Sequence, residues 1–323
     1  MKIFLFISAS FFPLIGFTQH TPPKYINLDS ASVKHFIVGE KPDFLTASNN
    51  NVWIVDDHQN RVLKMSPISN LPLLTVSIPH ACGIPAVGFH SLWVASCSEK
   101  MLYRINDSTG KLQAKIPIGL ADLGGEMSIA IGDGSIWLLT DSIGILTRIN
   151  PVTNKVLAEI KVLPHSYCTA FGHHSIWVTN FANNSIQRIN PTTNKIIATI
   201  PIGPKPRFFT ISKMGVWALH QGDGTIGLID VNKNTLIKTI NVKAPGGGGD
   251  IDAVDGKVWV VSTNTENPIQ RIDEKTGKIE FVFVQTRKSN DNTPFKVDGG
   301  IRHTIQYIWM TGYYSKSVWL IKR

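Results

Sequence analysis

The chain has 323 residues, 43 % hydrophobic and 17 % charged, with a formal net charge of +9. That length and apolar share exclude a disordered chain and allow a large core that needs no metal or disulfide to hold it. The excess of Lys and Arg suits anionic partners such as nucleic acid, lipopolysaccharide or wall polymers. The lysines recur at one turn position, however, and no block of five or six like charges occurs, so the charge reads as a solubilising loop charge.

In chain order, residues 1–19 ("MKIFLFISASFFPLIGFTQ") join one Lys to a short Phe/Ile/Leu-rich run interrupted by Ser and Pro. This predicts a secretory signal peptide with cleavage near Thr18 to His20, a lead segment over 20–32 and a single domain over 33–323. No other long apolar run exists, so no transmembrane segment is expected and the protein is placed in the periplasm or outside the cell. Three cysteines in such a compartment permit one disulfide and leave one thiol over.

From residue 50 onward one phrase recurs. Trp stands at 53, 93, 137, 177, 217, 259 and 309, with spacings of 40, 44, 40, 40, 42 and 50. Each Trp lies in a short apolar strand such as "SIWVT"; a second strand follows ("YRIN", "TRIN", "QRIN"), then a polar turn ("DSTGK", "PVTNK", "PTTNK") and a third alternating strand ("IIATIPIG"). A fourth ("SIAIG") leads to the next Trp, and Asp133-Gly134 and Asp255-Gly256 mark hairpins just before it. Four short strands with period-two alternation per roughly 42 residues make one blade of a β-propeller.

Closure sets the number of blades. The last blade ends at "SVWLIKR" and lacks an outer strand, while "HFIVGEKPDF" near the N-terminus matches "ATIPIGPKPRF" at Gly39/Gly203, Lys41/Lys205, Pro42/Pro206 and Phe44/Phe208. Residues 33–38 are therefore expected to supply the missing outer strand, so that no sheet edge stays open at the seam. The fold expected is all-β: a seven-bladed propeller of four-stranded antiparallel blades.

The blade "IWVTNFANNSIQRINPTTNKIIATIPIG" resembles the YVTN-type propeller repeat, and the layout over residues 33–323 is similar to the virginiamycin B lyase (streptogramin lyase) family. The resemblance implies a secreted or cytosolic seven-bladed protein. In that family His and Glu side chains with a magnesium ion act on one face, with Pro-His entry loops and Trp strands that end in Phe-Thr-Glu. This chain departs from that pattern: no entry position has His and no Trp strand ends in Glu. Glu126 and His220 are the acid/base pair of the right types, and they stand two blades apart.

In a propeller, the loops entering each innermost strand and those leaving each Trp strand share the face around the channel mouth. The excess Trp spacing falls into "GLADLGGEM", "APGGGGD" and "QTRKSNDNTPFKVDGG", all entry loops of this face. Insertions confined to one face of a repeat protein mark its binding face. A ligand is therefore expected at the mouth, touching some of Asp57, Glu126, Tyr167, Arg207, His220, Arg302 and Tyr313, with the loop from Gln285 to Gly300 as a lid beside Arg302 and Tyr313.

Strand pairing around Trp93 sets the position eleven before it opposite the position four after it, which predicts a Cys82–Cys97 disulfide and a free Cys168. "PGGGGD" precedes no helix and reads as a flexible turn, and His173-His174 sit in a hairpin without further metal ligands. The expectation is a monomeric, non-catalytic binding protein for a small molecule, polymer or protein, with no cofactor. A lyase-like enzyme using magnesium is the first alternative. A nucleic-acid or polyanion binder, suggested by "PRFF" and "GYY", is the second and is not favoured.

Overall fold

A computed structural model describes residues 22–56, 59–118, 128–139, 143–264, 266, 268–285 and 297–323. Its strands form seven sheets, one per blade, arranged as the sequence predicts. The first blade runs from Pro42–Ser48 at the channel through Asn51–Asp56 and Arg61–Met65 to Leu74–Ser77 at the rim. Second strands are buried throughout, as in Ser175–Asn180, whereas outer strands such as Val156–Lys161 face solvent over most of their length. Trp53, Trp93, Trp137, Trp177, Trp217 and Trp309 are fully buried and Trp259 nearly so, and Trp137 packs against Ile176 and Val178 of the following blade.

The seam closes as expected. Ser32–Ile37 pairs antiparallel with Ser317–Lys322 and completes the last blade from outside. The lead segment is more structured than a linker. Lys24–Asn27 adds a fifth strand to blade six, parallel to Ile279–Val284, and a four-residue helical turn over Leu28–Ala31 carries the chain to the seam. Asn27 caps that turn by accepting from Asp29 N at 2.8 Å. Nothing in the repeat pattern announces this strand, because it has no Trp partner and belongs to no blade phrase.

Two asparagines explain why the turn after the third strand keeps its wording. Asn190 Oδ1 accepts from the backbone N–H groups of Thr192 and Thr193 at 2.9 and 3.0 Å, which closes the turn on itself. Asn194 takes φ of 57°, a left-handed conformation that Asn tolerates better than most residues. Its Oδ1 also accepts from Arg148 of the preceding blade, whose guanidinium stacks on Trp137. The phrase thus encodes a staple between blades as well as a blade.

The Cys82–Cys97 disulfide is present, with a Cα–Cα separation of 6.0 Å, and Cys168 is a buried free thiol. The register beneath the bridge differs from the one expected. Cys82 lies opposite Ala95, and an irregularity between Cys82 and Ala86 displaces the strand start. The bridge is therefore a diagonal one. Among the described residues no helix is long and apolar enough to cross a membrane.

Candidate functional site

In blades one, two, four and five the residue three after the Trp turns inward instead of lining the mouth. Asp56, Ser96, Asn180 and His220 are all fully buried. Each anchors the loop that arrives from the rim. Asp56 Oδ1 accepts from Glu40 N and Lys41 N at 3.0 and 3.1 Å, and Asn180 Nδ2 donates to Pro164 O at 2.6 Å. Ser96 Oγ donates to Pro79 O at 2.5 Å. His220 Nε2 accepts from Gly203 N at 3.3 Å, and its Nδ1 donates to Thr225 Oγ1 at 2.9 Å. Burial pushes the His220 imidazole down to about 4, outweighing the pull of Asp223 in the other direction. Here His220 is a neutral structural latch out of solvent reach. Its expected companion Glu126 lies outside the described residues, as do Asp57 and residues 286–296 of the expected lid.

In blades six and seven the residue four after the Trp does reach the mouth. Thr263 and Tyr313 help to line a cavity of about 420 Å3, together with Asp43, Phe44, His80 and Phe208. The Gly-rich entry loop of blade six contributes Gly247 to Gly249, so "PGGGGD" forms part of the cavity wall. Aromatic rings interlock beneath it. Phe44 and Phe208 lie 5.8 Å apart across the channel, and Tyr167 meets Phe208 edge-on at 5.9 Å. The Arg207 guanidinium sits 4.2 Å above the Tyr167 ring and donates to Gly247 O at 2.5 Å. On the far side, Tyr313 meets Tyr314 edge-on at 5.0 Å and carries Lys41 Nζ 4.9 Å from its centroid. Tyr167 and Arg207 are thus brought together, and Tyr313 stands apart from them on the other wall.

Arg302 is not at the rim beside Tyr313. Its guanidinium reaches across the channel interior to Asp250 of the neighbouring blade and also donates to Ile301 O. Asp250 also accepts from Ile301 N at 3.1 Å and from its own neighbour Ile251 N at 2.8 Å. Burial pushes the Asp250 carboxyl up, against the opposing pull of Arg302. Cys168 lies in the same interior with Ser128 Oγ 3.6 Å from its sulfur, and burial raises its thiol to about 11. It is a protonated, unreactive thiol at neutral pH.

The channel itself is ringed by the residues seven before each Trp, each in register opposite that Trp: Thr46, Ala86, Ala130, Ala170, Thr210, Asp252 and Arg302. They line a cavity of about 280 Å3. Five of the seven are small and uncharged. Sequence reading missed Asp252, although its departure from Ala or Thr at that matched position was visible in the chain.

Magnesium, which the family resemblance implies, would need a set of oxygen or nitrogen ligands here. Among the described residues no three His, Cys, Asp or Glu side chains come together in a metal-ligand arrangement. No chemistry is therefore routed through such an ion.

Neither a family model nor a curated protein matches the chain. Among solved structures, a streptogramin B lyase superposes with a TM-score of 0.74 at 16 % identity, over 90 % of this chain and 97 % of its own. A selenomethionine-substituted virginiamycin B lyase from Staphylococcus aureus gives 0.72 at 17 % identity, over 90 % of this chain and 98 % of its own. At that identity the likeness is one of fold.

Proposed function

We propose that the chain is a secreted or periplasmic, monomeric binding propeller that takes a small amphipathic ligand at the channel mouth and does not transform it. The observation that carries the reading is the mouth cavity of about 420 Å3, walled by Phe44, Phe208 and Tyr313 and edged by Asp43 and His80. Small-molecule sites are concave, largely apolar and have a few polar groups that set orientation. The disulfide, bound into this same wall at Cys82, supports an oxidising compartment. The burial of His220 supports a non-catalytic role, since a general base must reach the proton it removes.

Anilinonaphthalene sulfonate, an amphipathic fluorescent anion, tests the site. It is expected to bind the folded protein saturably, with about tenfold lower affinity in Tyr313→Ala and Arg207→Ala at unchanged melting temperature. Equal binding in both variants would overturn the proposal. Incubation with streptogramin B, with and without magnesium, is expected to return the compound unchanged. Its conversion would replace this reading with the lyase one. Binding that weakens steeply with salt across all ligands would favour the polyanion reading.

A further inference from the structure

The opposite face of the propeller holds a second feature that the fold does not require. Asp252 stands where five of the other blades carry a small uncharged residue, and His303 where all six carry a small or apolar one. Positions matched to Asp252 hold Thr46, Ala86, Ala130, Ala170, Thr210 and, in blade seven, Arg302, and those matched to His303 hold Ala47, Val87, Ile131, Phe171, Ile211 and Ala253. Burying a carboxylate at such a place costs free energy unless it is fully paired. Here it is. Asp252 Oδ2 accepts from His303 N and His303 Nδ1, both at 2.7 Å, and Oδ1 accepts from Ala253 N at 2.9 Å. The carboxylate thereby fixes the imidazole, and Nε2 is the ring nitrogen left for a ligand. Burial disfavours the charged ring, but the Asp252 hydrogen bond outweighs it and holds His303 above the ordinary histidine range.

His303 opens onto a cavity of about 930 Å3 that spans blades four to seven, whose apolar wall includes Met214 and Val254. Its acids are already engaged. Asp255 is clasped by Arg323, Asp273 by Lys257 at 2.8 Å, and Glu274 accepts from Trp217 Nε1 at 2.8 Å. Lys213 and Lys275 make no ion pair among the described residues. Lys213, Lys275, His303 and Arg323 all line this one cavity. The charge left over in the cavity is positive, beside an apolar wall.

We propose that this cavity is a second ligand site, which holds the oxyanion group of a small organic acid or phosphate ester between His303 Nε2 and Lys213, its apolar part against Met214 and Val254. Charge-assisted hydrogen bonds to an oxyanion are the strong contacts such a site can make. Arg323 and Asp252 are positioning residues. The first closes off Asp255, and the second orients the imidazole.

The test is an NMR titration of the folded full chain that follows the His303 ring signal, with inorganic phosphate in one arm and acetate in the other. A saturable shift is expected with at least one oxyanion, and an affinity about tenfold lower in Lys213→Ala. Lys213 lies in an exposed hairpin, so this variant folds, and a matching melting curve checks it. His303→Gln, followed by calorimetry, is expected to lose the same binding. Response to phosphate alone assigns a phosphate ester, and response to acetate assigns a carboxylate. No saturable response to either, or a response that Lys213→Ala leaves unchanged, overturns the proposal.

Discussion

The Arg148 guanidinium lies 4.8 Å from the centroid of Trp137 and donates to Asn194 Oδ1 of the next blade at 3.1 Å. Arg104 makes the same pair of contacts with Trp93 and Asn154, and Arg188 with Trp177 and Asn234. Where the next blade's turn carries Gly instead of Asn, as at Gly110 and Gly277, the preceding blade lacks the Arg. Lys64 then reaches Asp107, or Leu228 stands in the Arg position and Trp217 donates to Glu274. The staple is thus a two-residue unit split across neighbouring repeats.

Arg148→Leu is expected to destabilise the protein by about 1–2 kcal/mol, the scale of one cation–π contact with charge-assisted hydrogen bonds. Asn194→Ala should cost more than Asn194→Gly. Both lose the acceptor, but only Ala is strained at φ of 57°. Urea denaturation of the three variants gives the order, and equal stability of the two Asn194 variants would contradict it.

At the seam, truncation through residue 37 removes the outer strand of the last blade and uncovers Ser317–Lys322 as a free edge. The melting temperature is expected to fall by about 10 °C or more, with aggregation. Truncation through residue 27 removes only the fifth strand of blade six and should cost much less, because that blade keeps its four antiparallel strands. Thermal melts with light scattering compare the two. A seam truncation that melts like the full protein would show that blade seven does not need its N-terminal strand.

Reduction of Cys82–Cys97, which closes a loop of sequence separation 15, is expected to cost about 3 kcal/mol. Iodoacetamide at pH 8 should label no cysteine in the native oxidised protein, because Cys168 is buried and its thiol is raised to about 11. After denaturation one thiol should react without reductant and three with it. Peptide mass spectrometry reads the count.

The His220 latch makes stability depend on pH in a defined direction. Its folded value of about 4 lies below the ordinary histidine value, so the unfolded chain binds a proton that the folded one refuses. The stabilising difference is complete above about 6.5 and is lost as pH falls toward about 4, up to about 3 kcal/mol. His220→Gln removes this titration, so its stability between pH 7 and 4 should fall less than that of the unaltered protein. Parallel curves for the two proteins would exclude His220 as the cause.

The amino-acid sequence by itself determined the blade number, the N-terminal closing strand and the Cys82–Cys97 bridge. All of these follow from local periodicity, because a strand of period two between turn residues has few ways to pair, and a ring of seven such units must close on something. Only the tertiary structure decided what each strand end does. His220 and Tyr313 sit within one position of each other in the repeat phrase, yet one is a buried latch and the other lines the mouth. The pairing of Arg302 with Asp250, and of His303 with Asp252, joins residues about fifty positions apart in the chain. So does the staple from Arg148 to Asn194. These contacts depend on how neighbouring blades are rotated about the channel, which no single blade's pattern contains. The parallel strand Lys24–Asn27 was illegible for a related reason: it finds its partner, Ile279–Val284, only once the whole ring has placed blade six beside the seam.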